Sequence, residues 1–431
     1  MIELISRKDT EGLAAKLRWI GQRNVALDTA LMEQVTAIID EVRARGDAAL
    51  VEYTERFDKF LLRPSELRVK EETLREFAGR ADSSVIEGLR EAIARVRRFH
   101  EAERLESWEI DGPNGVRLGQ RITALDRVGV YVPGGTAAYP SSVIMNVVPA
   151  QIAGVERIVI ATPPRTLNEN PAVAAAICEL GIDEVYAVGG AQAVAALAYG
   201  TETVPAVDKI TGPGNKYVAA AKKLVFGVVG IDSIAGPSEV IVIADDTARA
   251  SFVAADLLAQ AEHSDDACAI LITTSDTLAE EVARELEARV AELPRREIIK
   301  KSLTRGGAIV LVENLNEACD LVNEIAPEHV EIMSREVDRI AARIRNAGAI
   351  FFGDYSPEAV GDYLAGPNHV LPTARTARFS SALGVHDFIK RTNTVKFSAE
   401  ETKRTAPLIA ALARAEGLEA HARSVLIRLD E

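Results

Sequence analysis

The strongest constraint on this chain is a change of pattern after Leu125, where short β-branched runs begin to alternate with Ala-rich segments of helical spacing. Such runs stand at 128–132, 157–161, 184–188, 240–244, 269–273, 308–312, 329–333 and 349–352, each strand-length, with room for a helix in between. Strand, helix and strand in succession close as parallel pairs, so the pattern predicts βαβ units and a mostly parallel sheet. The runs fall into two sets, about 127–234 and 238–353, each long enough for an open sheet of its own. A crevice between two such sheets is where ligands bind. The full 431 residues leave space for further pieces at both ends.

Those pieces read differently. The first 120 or so residues carry apolar positions at helical spacing over 31–42 and 74–99, and few strands are expected there. From Ser380 onward the strands are expected to stop. Residues 405–431 read as helices broken at Gly417, too short to form a core alone, so this tail must pack on the body or on a second subunit.

Charge and cysteines narrow the class of partner. The chain has 64 acidic against 50 basic residues, a net −14, which argues against nucleic acid or an anionic membrane, since both bind through Lys and Arg. The basic stretches 95–104 and 295–305 are interleaved with acidic or apolar residues and read as solvated helix faces. Cys178, Cys268 and Cys319 form no C-x-x-C pair and fit a reducing cytosol. The N-terminus lacks a signal-peptide apolar region, and no apolar run reaches the ~20 residues that span a bilayer. A cytoplasmic protein without nucleic-acid or membrane partners is the expectation.

Four Gly-rich segments follow the first set of strands: Val132-Pro-Gly-Gly135, Val188-Gly-Gly-Ala-Gln192, Thr211-Gly-Pro-Gly-Asn215 and Ile234-Ala-Gly-Pro-Ser238. Glycine lets backbone approach a ligand closely, and the helix that follows offers free N–H groups to a phosphate. All four are expected at strand C-terminal ends, on one binding face. None matches G-x-G-x-x-G or the Walker pattern, so the motifs alone name no dinucleotide.

The histidines are weighed one by one. His100 and His386 read as structural or surface residues. In Gln260-Ala-Glu-His263 the amide and the imidazole lie three apart on one helical face, which continues to Asp256. Glu328-His329 places an acid beside an imidazole at a strand start. Adjacent strand residues point to opposite faces, so both reach one substrate only if the backbone is irregular, which Pro327 allows. Asp362 and His369 share a Gly/Pro-rich loop after the last strand. Glu416 and His421 face one site only if the helix breaks at Gly417. Nitrogen from His263 and His421 with oxygen from Gln260 and Asp362 suits zinc or manganese, although spacing alone does not single out those four.

Arg127-Val-Gly-Val-Tyr-Val-Pro-Gly-Gly135, Tyr139-Pro-Ser-Ser-Val-Ile-Met-Asn146, Gly189-Gly-Ala-Gln-Ala193, Gly212-Pro-Gly-Asn215, Ala235-Gly-Pro-Ser-Glu239, Gln260-Ala-Glu-His263, Ala326-Pro-Glu-His329, Gly366-Pro-Asn-His-Val-Leu-Pro-Thr373 and Glu416-Gly-Leu-Glu-Ala-His421 together resemble the histidinol dehydrogenase family. The resemblance runs in order from about Leu13 to the C-terminal helix. It implies an oxidoreductase that converts L-histidinol to L-histidine through bound L-histidinal, reducing two NAD+, at the end of histidine biosynthesis.

The resemblance further implies one Zn2+ per subunit on Gln260, His263, Asp362 and His421, orienting the substrate. His329 would be the base for the hydroxyl proton, and Glu328 would activate the water that hydrates the aldehyde. Substrate contacts fall to Ser238, Gln260, His263, His329, Asp362, Glu416 and His421, and NAD+ contacts to Tyr131, Gln192 and Asn215. The implied architecture is α/β with two Rossmann-like parallel-sheet domains in an intertwined homodimer, helical at both termini. Residues 1–25 form an N-terminal helical segment. Residues 26–126 and 238–380 form a first domain with the metal and catalytic residues, 127–237 a second with the NAD-binding loops, and 381–431 a C-terminal dimerisation segment completing the partner's site. Many relatives have glycine after Leu-Pro-Thr373, where this chain has Ala374-Arg375. The rival readings are a related zinc- and NAD-dependent dehydrogenase of another small alcohol, such as a sulfonated diol, and a metal-dependent hydrolase.

Overall fold

The computed structural model describes residues 2–22, 29–134 and 139–429. Gly135 of the first Gly-rich segment, 23–28 near the N-terminus and the last two residues lie outside the described residues. Strand β1 (Glu3–Ile5) opens the chain and is followed by the helices Thr10–Gln22, Thr29–Arg45, Asp47–Asp58, Glu71–Ala78 and Ser83–Glu101. Then come β2 (Trp108–Asp111) and β3 (Arg117–Ala124), and the first βαβ set β4 (Arg127–Tyr131), β5 (Arg157–Thr162), β6 (Glu184–Ala187), β7 (Lys209–Thr211) and β8 (Gly230–Ile231). The second set is β9 (Glu239–Ala244), β10 (Cys268–Thr273), β11 (Ala308–Leu311), β12 (His329–Met333) and β13 (Ala349–Phe352), with β14 (Ile389–Lys396) behind it.

The two sets make two parallel sheets, as the alternation predicts. One has the order β6-β5-β4-β7-β8; the other is β1-β11-β10-β9-β12-β13. Leaving β1 aside, both read third, second, first, fourth, fifth in chain order, so each has a point where the winding reverses, β4/β7 in one and β9/β12 in the other. Every residue of β9 and β10 is buried, which is what helices on both faces require and why those strands read as continuous apolar runs.

One expectation about strands fails. The first 124 residues hold only three short strands, β1, β2 and β3, among the described residues, but β14 lies beyond Ser380, where none was expected. β2, β3 and β14 form an antiparallel sheet in which Ile389 pairs with Ala124 and Lys396 with Arg117. Ile110, Leu118, Ile122, Ala124, Ile389 and Val395 share one face of this sheet with Trp108, but β2 and β14 stay largely exposed, so no buried apolar run marks them.

The division between domains also changes. Leu31, Val35, Leu50 and Tyr53 pack with Val188, Leu197 and Ile210, while Leu74, Leu89 and Val96 pack with Val130, Ile160 and Phe388. The helices of 29–101 therefore cover the five-stranded sheet, and the expected grouping of 26–126 with 238–380 does not hold for them. Their apolar stripes find cover on that sheet. At the N-terminus, Ile5, Leu13, Leu17 and Ile20 pack on the six-stranded sheet of their own chain.

The helices of the tail break at Gly417, as expected. Helices Ala399–Ala415 and Glu419–Leu426 are separated by Gly417 at φ 76° and share a small cluster of Ala410, Ala413 and Ala422. Leu408, Leu412, Leu418 and Ile427 remain exposed along them. Ala374 and Arg375 adopt φ 52° and 66°, the left-handed region that favours glycine.

One buried ion pair fixes the loop after β7. Lys222 and Asp232 pair with almost no exposure; Asp232 Oδ2 accepts from Gly212 N at 2.8 Å, and Lys222 Nζ donates to Gly212 O at 3.0 Å. Gly212 has φ 111°, and a Cβ there would meet the Tyr131 carbonyl. Replacing Lys222 by Met leaves Asp232 buried without its cation and should cost about 3–5 kcal/mol in chemical denaturation. Lys222→Met with Asp232→Leu should recover part of that loss; equal stability of the single variant and the parent would contradict the assignment.

Candidate active site

The acid and imidazole at the start of β12 owe their position to an irregular turn. Helix Leu315–Ile325 ends at Ala326, whose φ of 50° is left-handed and whose N–H reaches Val322 O at 2.7 Å; Pro327 then starts the strand. This is the irregularity that the sequence required for Glu328 and His329 to act together. Both side chains close on the backbone of Glu239 at the start of β9. Glu328 Oε2 accepts from Glu239 N at 3.0 Å, and His329 Nδ1 lies 3.0 Å from Glu239 O. The carbonyl only accepts, so Nδ1 carries a proton, and in the neutral tautomer that this selects the lone pair is on Nε2. Burial pushes the Glu328 carboxyl up to about 8, against the opposing influence of His329.

The Gln260–His263 helix end and the short helix Glu358–Tyr363 bring metal-binding groups together. His263, Glu358 and Asp362 each offer an atom within 4.8 Å of the others. Gln260 borders this cluster: with its amide turned so that both ends find partners, the nitrogen donates to both Glu358 oxygens and the oxygen accepts from Glu239 N. Burial depresses the His263 imidazole, leaving it neutral with a lone pair to give, although Asp362 opposes the shift. One imidazole and two carboxylates converging on a point, with an amide beside them, form a donor set that suits zinc.

Glu358 is the residue the sequence reading missed. It lies four positions before Asp362 on one helical face, a spacing that was available as a signal. Its carboxyl is buried, lies 3.7 Å from His329 Nδ1, and is pushed well above the usual range by burial. Asp256, one turn before Gln260 on the same helical face, bonds Glu331, which accepts from Glu358 N at 2.7 Å; burial raises Asp256 to about 6. The His369 Nε2 is buried with no partner, in a ring close enough to Asp362, His329 and His263 to feel their charges. Glu416 and His421 are exposed on the tail and stand outside the cluster. Ser238 directly precedes Glu239.

Tyr131, Gln192 and Asn215 line one cavity of about 900 Å3 at the C-terminal edge of the five-stranded sheet. Tyr131 OH accepts from Gly190 N at 3.0 Å, and burial raises the phenol to about 12. Asn215 Oδ1 caps helix Lys216–Val225 through Tyr217 N and Val218 N, so its amide N–H2 is what it can offer a ligand. Three Gly-rich segments do lie at the ends of β4, β6 and β7. The fourth leaves β8 and enters β9, so it links the C-terminal edge of one sheet to the N-terminal edge of the other, where Glu328 and His329 stand.

The histidinol dehydrogenase family model matches residues 22–429. The chain belongs to the histidinol dehydrogenase family. A histidinol dehydrogenase of Geobacillus kaustophilus is 54% identical over 409 residues, 94% of this chain and 96% of its own length. One from Bordetella parapertussis is 49% identical over 431 residues, 99% of this chain and 98% of its own. The crystal structure of histidinol dehydrogenase from Elizabethkingia anophelis superposes with a TM-score of 0.93 at 34% identity, covering 100% of this chain and 98% of that one. The family comprises zinc- and NAD-dependent oxidoreductases of histidine biosynthesis.

The cluster yields a direct expectation. Glu358→Ala, which frees the Gln260 amide, should weaken zinc binding about 10–100-fold in competition with a chromogenic chelator. His263→Ala should weaken it more, and unchanged zinc affinity in both would remove the metal from this place.

Proposed function

We propose that this chain oxidises L-histidinol to L-histidine through L-histidinal in two successive NAD-dependent steps. The observation that carries the reading is the grip of Glu328 and His329 on the Glu239 backbone, beside a zinc-type donor set. His329, with its Nδ1 proton committed to the Glu239 carbonyl, takes the alcohol proton on Nε2, and NAD+ accepts the hydride in each of the two oxidations. Glu328 takes a proton from water as its oxygen adds to the aldehyde carbon. The hydrate then loses a second proton, and the acid results.

Gln260, His263 and Asp362 would hold zinc with His421 of the partner subunit, and zinc supplies a fixed charge that orients the imidazole and amino nitrogens of the substrate. Ser238, and Glu416 of the partner subunit, would contact that amino end. The exposed apolar residues of the tail and its lack of a core of any size support an intertwined homodimer in which this segment completes the neighbouring site. Tyr131, Gln192 and Asn215 would contact NAD+ within 127–237, while 238–380 carries the metal and catalytic residues. Cys178, Cys268 and Cys319 form no disulfide, and no helix among the described residues is long and apolar enough to cross a membrane, in keeping with a cytoplasmic enzyme. A hydrolase would leave the 900 Å3 cavity without a role. A sulfonated diol would give Glu416 and Ser238 no amino group to meet.

Histidinol supplied with excess NAD+ should yield two NADH per molecule consumed. Glu328→Gln should slow histidinal oxidation about 10²–10⁴-fold while affecting histidinol oxidation much less. Because Glu328 acts as a base and its carboxyl loses its proton near pH 8, the rate of the aldehyde half should rise with pH up to that region. Oxidation of another alcohol but not of histidinol would overturn the substrate; equal loss in both halves would overturn the division of labour.

A further inference from the structure

Helix Pro140–Ala153, which packs on the five-stranded sheet, carries a proline in its interior, Pro149. Proline has no N–H, so the carbonyl four residues earlier, that of the buried Met145, loses its helical donor. A side chain from the other sheet's half of the chain takes its place. Asn368 Nδ2 donates to Met145 O at 2.7 Å, from the loop that follows helix Glu358–Tyr363. The same nitrogen faces His100 Nε2 at 3.5 Å, and Asn368 Oδ1 accepts from Val370 N at 2.9 Å. His100 Nδ1 in turn lies 2.7 Å from Glu103 Oε2, which also accepts from Val385 N at 2.9 Å. Asn368 is buried, and both ends of its amide are engaged.

The backbone around it is pressed onto the same helices. Gly366 has φ 110°, and a Cβ there would meet Arg95 O at 3.0 Å, so the loop lies directly on helix Ser83–Glu101. Val370 packs in the core that this helix shares with the five-stranded sheet. Between these anchors stands His369, whose unpartnered Nε2 is buried close to Asp362, His329 and His263. The loop thus carries a candidate metal ligand just before it and this imidazole within it, while its side-chain anchor is in the other half of the molecule.

We propose that Asn368 is a positioning residue: by taking the carbonyl that Pro149 frees, it locks this loop to the helices of the five-stranded sheet and holds the His369 imidazole against the cluster. A buried carbonyl and a buried amide each need a partner, so the two halves meet at one fixed distance. The inference rests on the reading of Glu328, His329 and the zinc-type donor set as the histidinol site.

The test is a double-mutant cycle of Asn368→Ala and Pro149→Ala in the zinc-loaded enzyme, read by melting temperature and by kinetics with histidinol and NAD+. Asn368→Ala leaves Met145 O buried without a donor. It should lower the melting temperature and reduce kcat about 10²-fold, with KM for NAD+ little changed. Adding Pro149→Ala supplies an N–H to that carbonyl. It should return part of the lost melting temperature and none of the lost turnover. Turnover recovered together with the melting temperature, or an unchanged kcat in Asn368→Ala, overturns the positioning role. An equal effect of Pro149→Ala on melting temperature in both backgrounds overturns the link between Asn368 and the freed carbonyl. A parent enzyme that reduces no NAD+ with histidinol overturns the reading of the site instead, and the melting cycle still tests the link.

Discussion

The backbone of one residue, Glu239, holds the buried Glu328 and His329 in place. Its N–H meets the Glu328 carboxylate and its carbonyl meets His329 Nδ1, so acid and imidazole are fixed to one another through a rigid strand start. The parallel register of β12 on β9, His329 opposite Val240, sets this spacing. Two consequences follow from the same contacts: the imidazole directs its Nδ1 proton to that carbonyl, and a carboxyl is buried deeply enough to be pushed up to about 8. Behind the pair, Asp256, Glu331 and Glu358 form a chain of buried carboxyls ending on Gln260, which ties the orientation of the metal-side amide to the same strands.

The two sheets repeat one strand order, yet they offer opposite ends to ligands. The five-stranded sheet presents its cavity at strand C-terminal ends, where α/β sheets usually bind. The six-stranded sheet carries Glu328 and His329 at strand N-terminal ends. The crossover 232–238 between β8 and β9 joins these edges, and it is held from the other side by Thr373, whose hydroxyl accepts from Gly236 N at 2.6 Å. The unusual left-handed Ala374 and Arg375 lie directly after this contact.

Much of this was legible in sequence because it rests on local pattern. Buried parallel strands announce themselves as β-branched runs, and the Gly-rich exits locate one ligand face. The turn at Ala326-Pro327 could be anticipated, since an adjacent acid and imidazole cannot share a substrate on regular strand. What was not legible depends on pairing across long separations. β14 and β3 are 265 or more residues apart and largely lack buried apolar residues, so only their register reveals them. Glu358 carried the right helical spacing with Asp362, but only its burial against His329 and Gln260 separates it from any other surface acid. The helices of 29–101 show apolar stripes that do not say which sheet they cover.

The measurement that tests the account most directly is an anomalous difference map at the zinc absorption edge from crystals of the assembled protein with histidinol bound. The account predicts one peak per protomer, within coordination distance of Gln260, His263 and Asp362 and of His421 of the partner subunit. A peak elsewhere, or one at this cluster that the partner does not reach, would contradict it.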